Sequence, residues 1–382
     1  MKSPNFFDDL SRSGFSRREF LKLCTAAAVY MGLPAGMGAR IAEAVAGPKR
    51  PTVIWLSGQA CTGCVESLLR PNHPTLEHLI LDVISLDYLE TLSTGAGHQA
   101  EEYRKKSVEE NKGRFILVVD GSVPIKDGGI YCKIGGETMV DLVTEMGSQA
   151  MAVIAIGSCA SWGGIPSAHP NPTGATPVYQ VLKYKGIETP VVNVPGCPPN
   201  GYNFLSTVLH FLTFQKLPEV DDKLRPKFAY GRLIHENCER RPHFDAGRYA
   251  EAFGDEGHRK GWCLYKLGCK GPETYNNCPA ILFGDVGSGA WPVGTGHPCF
   301  GCSEGGVGFN VPLHTMARLN FWTTPAFYPH IFERRGEGLS LAEGAVIVAV
   351  GGAAIGAGAM IARNLGKHEG QEGEKTSEDT ES

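Results

Sequence analysis

A run of metal-ligand residues in the second half of the chain constrains its fold most. Six of the twelve cysteines fall within 68 residues that begin with a histidine, among many turn-forming glycines, prolines and asparagines. The seven residues are His235, Cys238, Cys263, Cys269, Cys278, Cys299 and Cys302. Ligands presented from loops suit an inorganic cluster, because several chain segments must converge on one point. Seven ligands divide into a group of four and a group of three, which predicts two neighbouring clusters with electrons moving between them.

Zinc and disulfides are the alternative interpretations of this run. A structural zinc site closes with four ligands, commonly in two tight pairs, so seven ligands would leave three over. Only His235 with Cys238, and Cys299 with Cys302, are spaced as such pairs. Six cysteines are an even number and could also form disulfides. The spacing favours iron–sulfur clusters, and both alternatives stay open on these residues alone.

The rest of the composition is that of a globular protein with many loops. The chain has 382 residues, 42% of them apolar, and its formal net charge of −4 gives no indication of nucleic-acid binding. This length allows two or three domains with a substantial core. The 49 glycines and 25 prolines follow no period, which is typical of a protein that holds cofactors in loops.

The N-terminus has the features of a twin-arginine export signal. The pair Arg17 and Arg18 precedes an apolar stretch at 23–37, and residues 44–46 are small, as a signal peptidase requires. A short basic helix before a buried helix is the alternative. Because the twin-arginine route exports folded proteins, a cofactor inserted inside the cell would cross the membrane already enclosed. We therefore predict that residues 1–46 are a signal peptide and take no part in the fold.

Apolar runs alternate with amphipathic ones from Pro51 onward. The predicted strands are 52–57, 79–86, 115–120, 151–156 and 191–194, and the predicted helices are 61–70, 99–110, 137–149 and 203–214. Near-continuous runs of valine, isoleucine and alanine, separated by helices, are typical of a parallel sheet covered on both faces. The fold class expected for this part is therefore α/β.

Four further cysteines follow the ends of these strands. They are Cys61, Cys64, Cys159 and Cys197, which span 137 positions. The carboxyl ends of parallel strands share one edge of the sheet, where ligands bind, so the four can meet at one point. A thioredoxin-like redox pair at Cys61 and Cys64 is the alternative, but it would leave the other two unexplained. Cys132 has no partner at ligand spacing and is interpreted as a lone thiol.

Together these residues resemble the small subunit of nickel–iron hydrogenases, and most closely the membrane-bound periplasmic uptake enzymes. The resemblance runs from about Pro51 to the loop of Cys302. It is carried by the motifs Cys61-Thr62-Gly63-Cys64, Gly157-Ser158-Cys159, Pro195-Gly196-Cys197-Pro198-Pro199-Asn200, Trp291-Pro292-Val293 and Gly296-His297-Pro298-Cys299, and by residues 232–244. A related quinone-oxidoreductase subunit with one cluster would lack the whole of 235–302.

The resemblance implies a flavodoxin-like domain at 51–215 and a loop-rich iron–sulfur domain at 225–335. In the first it implies a proximal 4Fe–4S cluster, held by Cys61, Cys64, Cys159 and Cys197. In the second it implies a distal 4Fe–4S cluster on His235, Cys238, Cys263 and Cys269, and a medial 3Fe–4S cluster on Cys278, Cys299 and Cys302. The nickel–iron site would lie on a partner large subunit, so no catalytic residue is expected in this chain.

The C-terminal end predicts a membrane anchor. Residues 344–362 are nineteen positions without a charge, about 28 Å long as a helix and close to the ~30 Å hydrocarbon core. A buried helix of a globular domain is the alternative, because glycine lowers both helix propensity and hydrophobicity. We expect a transmembrane helix within 340–365 and a polar cytoplasmic tail at 366–382.

These features favour one function and leave another open. The favoured function is that of an electron-transferring hydrogenase subunit on the periplasmic side of the inner membrane. It would pass electrons to a membrane acceptor, either a cytochrome b or a quinone-linked set of iron–sulfur and integral membrane proteins. The alternative is a non-catalytic secreted protein whose cysteines form disulfides or hold structural metals.

Overall fold

The computed structural model describes residues 16–46, 50–71, 84–284, 289–319, 323–325 and 327–328. Its strands in chain order are β1 (Thr52–Ser57), β2 (Ser85–Tyr88), β3 (Ile116–Asp120), β4 (Val123–Pro124), β5 (Lys133–Ile134), β6 (Glu137–Thr138), β7 (Ala152–Ile156), β8 (Ala175–Thr176) and β9 (Val191–Val194). Its longer α-helices are α1 (Arg17–Tyr30), α2 (Gly38–Val45), α3 (Gly63–Leu69), α4 (His98–Glu110), α5 (Met139–Gln149), α6 (Gly157–Trp162), α7 (Val178–Tyr184) and α8 (Gly201–Phe214). Short helices follow in the second half: α9 (Lys227–Tyr230), α10 (Ile234–Asn237), α11 (Arg241–Asp245) and α12 (Glu256–Arg259).

Five strands form a parallel sheet in the order β2-β1-β3-β7-β9. Both β3 and β7 are buried along their whole length, as expected of strands with helices on both faces. Counted within this sheet, the order is 2-1-3-4-5, which is the order of flavodoxin-like folds. The predicted α/β class with a parallel sheet is therefore confirmed.

The side chains of each strand point alternately to the two faces of the sheet, which divides the core into two layers. In β3, Val118 packs with α8 on one face of the sheet, whereas Leu117 and Val119 pack with α5 and α7 on the other. Successive side chains of a strand point to opposite faces. Every side chain of β3 is consequently buried, and the sheet presents its functional groups at its carboxyl edge.

Some elements differ from the sequence-based prediction. The second strand begins at Ser85, and most of the predicted 79–86 lies outside the described residues. The helix predicted at 137–149 begins at Met139, because Glu137 and Thr138 pair with β5. Helix α7 was not predicted, since its seven residues are too few to establish a helical period.

The second half contains short helices joined by loops, around a small core of its own. That core includes Ile234, Leu264, Trp291 and Val293, together with several of the cysteines. Residues up to His330 form one compact unit, so the predicted division at 51–215 and 225–335 stays a prediction.

The prediction that residues 1–46 take no part in the fold is corrected for residues 16–46. Helices α1 and α2 pack against the first core through Phe20, Ala28 and Ile41, each less than a tenth exposed. The physical reason is that α1 carries an apolar stripe, which packs with α2 in the apolar cluster that also contains residues of α8.

No helix within the described ranges is long and apolar enough to cross a bilayer. The segment 340–365, predicted to be the membrane anchor, and the tail 366–382 lie outside those ranges.

Candidate metal centres

The sheet brings the first four cysteines together at its carboxyl edge. Cys61 follows β1 and is exposed, and Cys64 lies in the first turn of α3. Cys159 lies in α6 directly after β7, and Cys197 follows β9. Burial raises the pKa of Cys64 well above its ordinary value, and the nearby Asp120, Cys159, Cys61 and Cys197 raise it further. Four thiols that interact in this way would repel one another as thiolates unless a positively charged group, such as the iron of a cluster, offset their charge.

Two glycines leave room for these sulfur atoms. A Cβ at Gly157 would lie 2.3 Å from the Sγ of Cys64, and one at Gly164 would lie 2.6 Å from the Sγ of Cys159. Both glycines have positive φ, +86° and +54°, a conformation that side chains disfavour. The backbone at this edge is therefore shaped around the cysteines, as an iron–sulfur site requires.

A second group surrounds an enclosed cavity beside α10. His235, Cys238, Cys263 and Cys269 all line it. The Nε2 atom of His235 is buried and has no hydrogen-bond partner, which is unusual in a folded protein unless a ligand completes it. The imidazole packs against the Phe244 ring in a T-shaped arrangement, with 4.5 Å between the ring centroids.

The charge state of His235 also suits a ligand. Burial, together with the nearby Arg241, lowers the pKa of His235 to about 4. The imidazole is therefore neutral at pH 7, with a nitrogen lone pair available to a metal. Next to it, the backbone N–H of Arg240 donates to the Sγ of Cys238 over 3.4 Å.

The third group lines a cavity of about 390 Å³ between the other two. Cys278, Cys299 and Cys302 line it together with Pro292 and with Cys197 of the sheet-edge group. Burial raises the pKa of Cys278 to about 12. A proline has no metal-binding atom in its side chain. Apart from Cys197, the cavity therefore has three cysteines, a number that suits a 3Fe–4S cluster.

A hydrogen bond to sulfur connects the middle group to the His235 group. The backbone N–H of Cys299 donates to the Sγ of Cys269 over 3.3 Å. Such a bond stabilises negative charge on sulfur and raises the potential of a cluster. Toward the sheet-edge group, burial raises the pKa of Cys302 to about 12, and the nearby backbone of Cys197 acts to lower it.

Ser158 links the first group to the third through hydrogen bonds. This role was not identified from the sequence. Its Oγ donates to the carbonyl of Cys302 over 2.5 Å and accepts from the N–H of Gly196 at 3.0 Å. The loops of Cys197 and Cys302 are thus held by one side chain. In the sequence this serine is only part of the motif containing Cys159, and no spacing indicates its partner 144 positions away.

Buried charges near the centres were missed as well. Arg225 and Glu304 form a buried ion pair at 2.5 Å, and Arg225 also donates to the carbonyl of Ser303. Lys270 is buried beside Cys269 and Cys299, and its Nζ donates to the carbonyl of Thr315. A cation there would offset the negative charge of thiolate-bound iron. The sequence gives no signal for the roles of Arg225, Glu304 and Lys270, because each role depends on contacts between distant parts of the chain.

The cysteines are free thiols throughout, including Cys132 and Cys24. The disulfide alternative is therefore unsupported. Within the described part of the chain, no three histidine, cysteine or acidic side chains lie close enough to hold a single metal ion. Cys132 packs into the second core layer, away from the three groups.

We expect His235→Ala to disable the centre beside α10 while leaving the other two intact. The variant removes the unpartnered Nε2 atom, and acceptor-linked electron transfer should fall by more than about tenfold, as metal-site losses do. Iron content and electron paramagnetic resonance would report the lost centre. His98→Ala, at an exposed position, is the control. Unchanged iron and activity in His235→Ala would show that the imidazole is not a ligand.

Two family models match the chain in succession. The model described as NADH ubiquinone oxidoreductase, 20 Kd subunit, matches residues 61–211. The model for the C-terminal part of the NiFe/NiFeSe hydrogenase small subunit matches residues 230–313. The second match contains all seven predicted ligand residues from His235 to Cys302, a segment that a one-cluster subunit would lack.

Relatives and solved structures agree over most of the chain. The Hydrogenase-2 small chain of Escherichia coli (strain K12) is 52% identical over 356 residues, or 93% of this chain and 94% of the relative. The periplasmic NiFe hydrogenase small subunit 1 of Nitratidesulfovibrio vulgaris is 48% identical, over 77% and 91% of the two chains. The oxidised NiFeSe hydrogenase from Desulfovibrio vulgaris Hildenborough matches with a TM-score of 0.62 and 40% identity, over 68% of this chain and 95% of that one. This chain therefore belongs to the family of nickel–iron hydrogenase small subunits.

Proposed function

We propose that this chain relays electrons from hydrogen oxidation through three iron–sulfur clusters to a membrane-linked acceptor. The proximal 4Fe–4S cluster is assigned to Cys61, Cys64, Cys159 and Cys197, and the distal 4Fe–4S cluster to His235, Cys238, Cys263 and Cys269. The medial 3Fe–4S cluster is assigned to Cys278, Cys299 and Cys302. The observation that carries this proposal is a chain of hydrogen bonds between the three groups: Ser158 joins the loops of Cys197 and Cys302, and the N–H of Cys299 donates to the Sγ of Cys269.

The clusters supply one-electron chemistry, and the residues of this chain hold and tune them. Ser158 keeps the Cys197 and Cys302 loops together, so the distance between the first two centres is fixed. At the third centre a neutral imidazole replaces a thiolate, which makes that centre less negative. The smaller negative charge suits an exit site, from which an electron passes to a partner at the surface.

A large subunit that holds nickel and iron would dock over the exposed Cys61. Exposed apolar side chains occur on the loops at this edge, among them Ile125, Ile130 and Ile165, which are 50%, 56% and 62% exposed. The side-chain amide of Gln59 donates to Thr173, and these contacts tie the loops together. Large apolar side chains gathered around a site are typical of a protein interface.

Iron and sulfide analysis tests the relay directly. The co-purified complex should be brown, and this chain should account for about eleven irons, the sum of 4, 4 and 3. A nickel-containing large subunit should co-purify with it. A colourless protein without iron would overturn the proposal and favour the secreted, non-catalytic alternative.

We further propose export by the twin-arginine route and anchoring by residues 344–362. The arginine pair and the uncharged C-terminal segment support this placement, as do the periplasmic and uptake hydrogenase names of relatives. The acceptor would then be a cytochrome b or a quinone-linked assembly in the inner membrane.

Replacing Arg17 and Arg18 by lysine is expected to leave folded, iron-loaded protein in the cytoplasm. The twin-arginine route reads the guanidinium pair rather than charge alone, so a charge-conserving change should abolish export. Lys22→Arg, which changes a basic residue outside the pair, is the control. Cell fractionation with immunoblotting would measure the outcome, and normal export of the double variant would contradict the assignment.

A further inference from the structure

The first N-terminal helix has one buried side. Phe20, Cys24 and Ala28 are four positions apart and are 6%, 4% and 0% exposed, whereas Val29, on the other side, is 58% exposed. Residues spaced by four lie on one face of a helix. Ser16 begins α1 with a capping box, in which its side chain accepts from the N–H of Glu19 and its own N–H donates to the Glu19 carboxylate. The helix therefore starts at the arginine pair, with a stabilised first turn.

The second helix packs back on the first and also contacts α8. A Cβ at Gly38 would lie only 2.6 Å from the Cα of Thr25, so the two backbones approach closely where glycine permits it. Ile41 and Val45 are buried in the same apolar cluster as Phe211 of α8. Helices α1 and α2 thus form a hairpin seated on the body of the protein.

A polar contact joins this hairpin to the loop of the medial centre. The hydroxyl of Tyr30 accepts from the Nδ2 of Asn277 over 2.6 Å and donates to the Oδ1 of Asn203. The Tyr30 ring also packs edge-on against Phe228, with 5.6 Å between the centroids. Asn277 immediately precedes Cys278. The last residue of α1 therefore contacts the segment that presents a proposed cluster ligand.

We propose that residues 16–46 (the leader) are a docked element of the precursor, held on α8 and on Asn277, and that cleavage of the leader requires its release. The proposed cleavage residues 44–46 include Val45, which is helical and 6% exposed. Proteases cut chain segments that are accessible and locally unfolded. While the leader is docked, Val45 stays helical and buried, which hinders a peptidase from binding residues 44–46. The inference rests on the proposed export, because it assigns the cleavage site to that signal.

Hydrogen exchange on the full-length precursor tests the docking. The chain is purified with its large subunit from cells in which export is blocked, and exchange is followed at 17–30 and 38–45. We expect both segments to be protected, and Ala28→Asp to abolish that protection, because it places a charge at a buried position. Val29→Asp, one position away on the exposed side, is the matched control and should exchange as the unsubstituted chain does. Exchange in β3 and β7 reports whether the body of each variant is folded.

A gentler variant tests the polar contact. Tyr30→Phe keeps the ring against Phe228 and removes only the hydroxyl, so exchange in α1 should rise about two- to tenfold, the worth of one or two hydrogen bonds. Tyr184→Phe, at an 86% exposed position, should have no effect.

Cleavage by purified signal peptidase links docking to processing. Ala28→Asp should be cut at least about tenfold faster than Val29→Asp, because local opening limits access. The proposal is overturned if the unsubstituted leader exchanges at free-peptide rates, or if the two aspartate variants behave alike. Failure of the export proposal is seen separately, as the absence of processed protein from the periplasm.

Discussion

Cys61→Ala is expected to abolish acceptor-linked hydrogen oxidation, a loss of more than about 100-fold, since even indirect metal-site partners are worth 10- to 100-fold. Cys61 is the exposed member of the proximal group, at the edge where a large subunit would dock. Electrons from the partner would enter here, so a broken first centre interrupts the relay at its beginning. Cys197→Ala should have the same effect.

Cys132→Ala is the matched control for this prediction. Cys132 is also a free, half-buried thiol in the first part of the chain, but it packs against the apolar core layer that contains Val140 and Val143. We expect it to keep full activity and full iron content. Iron analysis should show about four irons lost from Cys61→Ala and none from Cys132→Ala. A Cys61→Ala variant with full activity and iron content would contradict the proximal assignment.

The elements that sequence predicts best are those whose signal is local. Strands β1, β3, β7 and β9 lie within one residue of their predicted ends, because buried parallel strands are unbroken apolar runs. The convergence of Cys61, Cys159 and Cys197 follows from one rule about the carboxyl edge of such sheets. Nothing beyond strand order is needed to place these residues together.

Contacts between distant loops could not be predicted. Ser158, Arg225 and Lys270 act through carbonyl and carboxylate partners that lie 45 to 144 positions away. Serine and charged residues occur throughout the chain, and neither spacing nor composition distinguishes these three. The resemblance supplies the ligand sets, whereas the connections between the sets depend on how the loops pack.

The expectation that residues 16–46 take no part in the fold was wrong for a different reason. Their apolar spacing, with Phe20, Cys24 and Ala28 on one face, is present in the sequence and is the usual signal of a packed helix. A signal peptide is ordinarily set apart from the fold of the mature protein, yet an amphipathic segment of a precursor can still bury its apolar face. Export and packing are separate properties of a segment, so an export signal in this segment would not prevent its packing.

Gly157→Ala is expected to lose the proximal centre although it changes no ligand. The new methyl group would lie 2.3 Å from the Sγ of Cys64, and the sulfur would have to move by about 1 Å to reach an ordinary contact distance. Positive φ adds a cost of about 1–2 kcal/mol for any residue with a Cβ. A cluster tolerates little displacement of a ligand, since its metal–sulfur distances are fixed within a few tenths of an ångström.

Gly186→Ala separates the cost of a positive φ from the displacement of the Cys64 sulfur. Gly186 also has positive φ, +70°, but nothing lies within 4 Å of a Cβ built there. It should cost about 1 kcal/mol of stability and keep its iron, whereas Gly157→Ala should lose about four irons and the proximal signal in electron paramagnetic resonance. Backbone strain alone would make the two variants equal in iron content. If Gly157→Ala keeps all its iron, Cys64 does not need its present position, and the edge of the sheet is not shaped around a cluster.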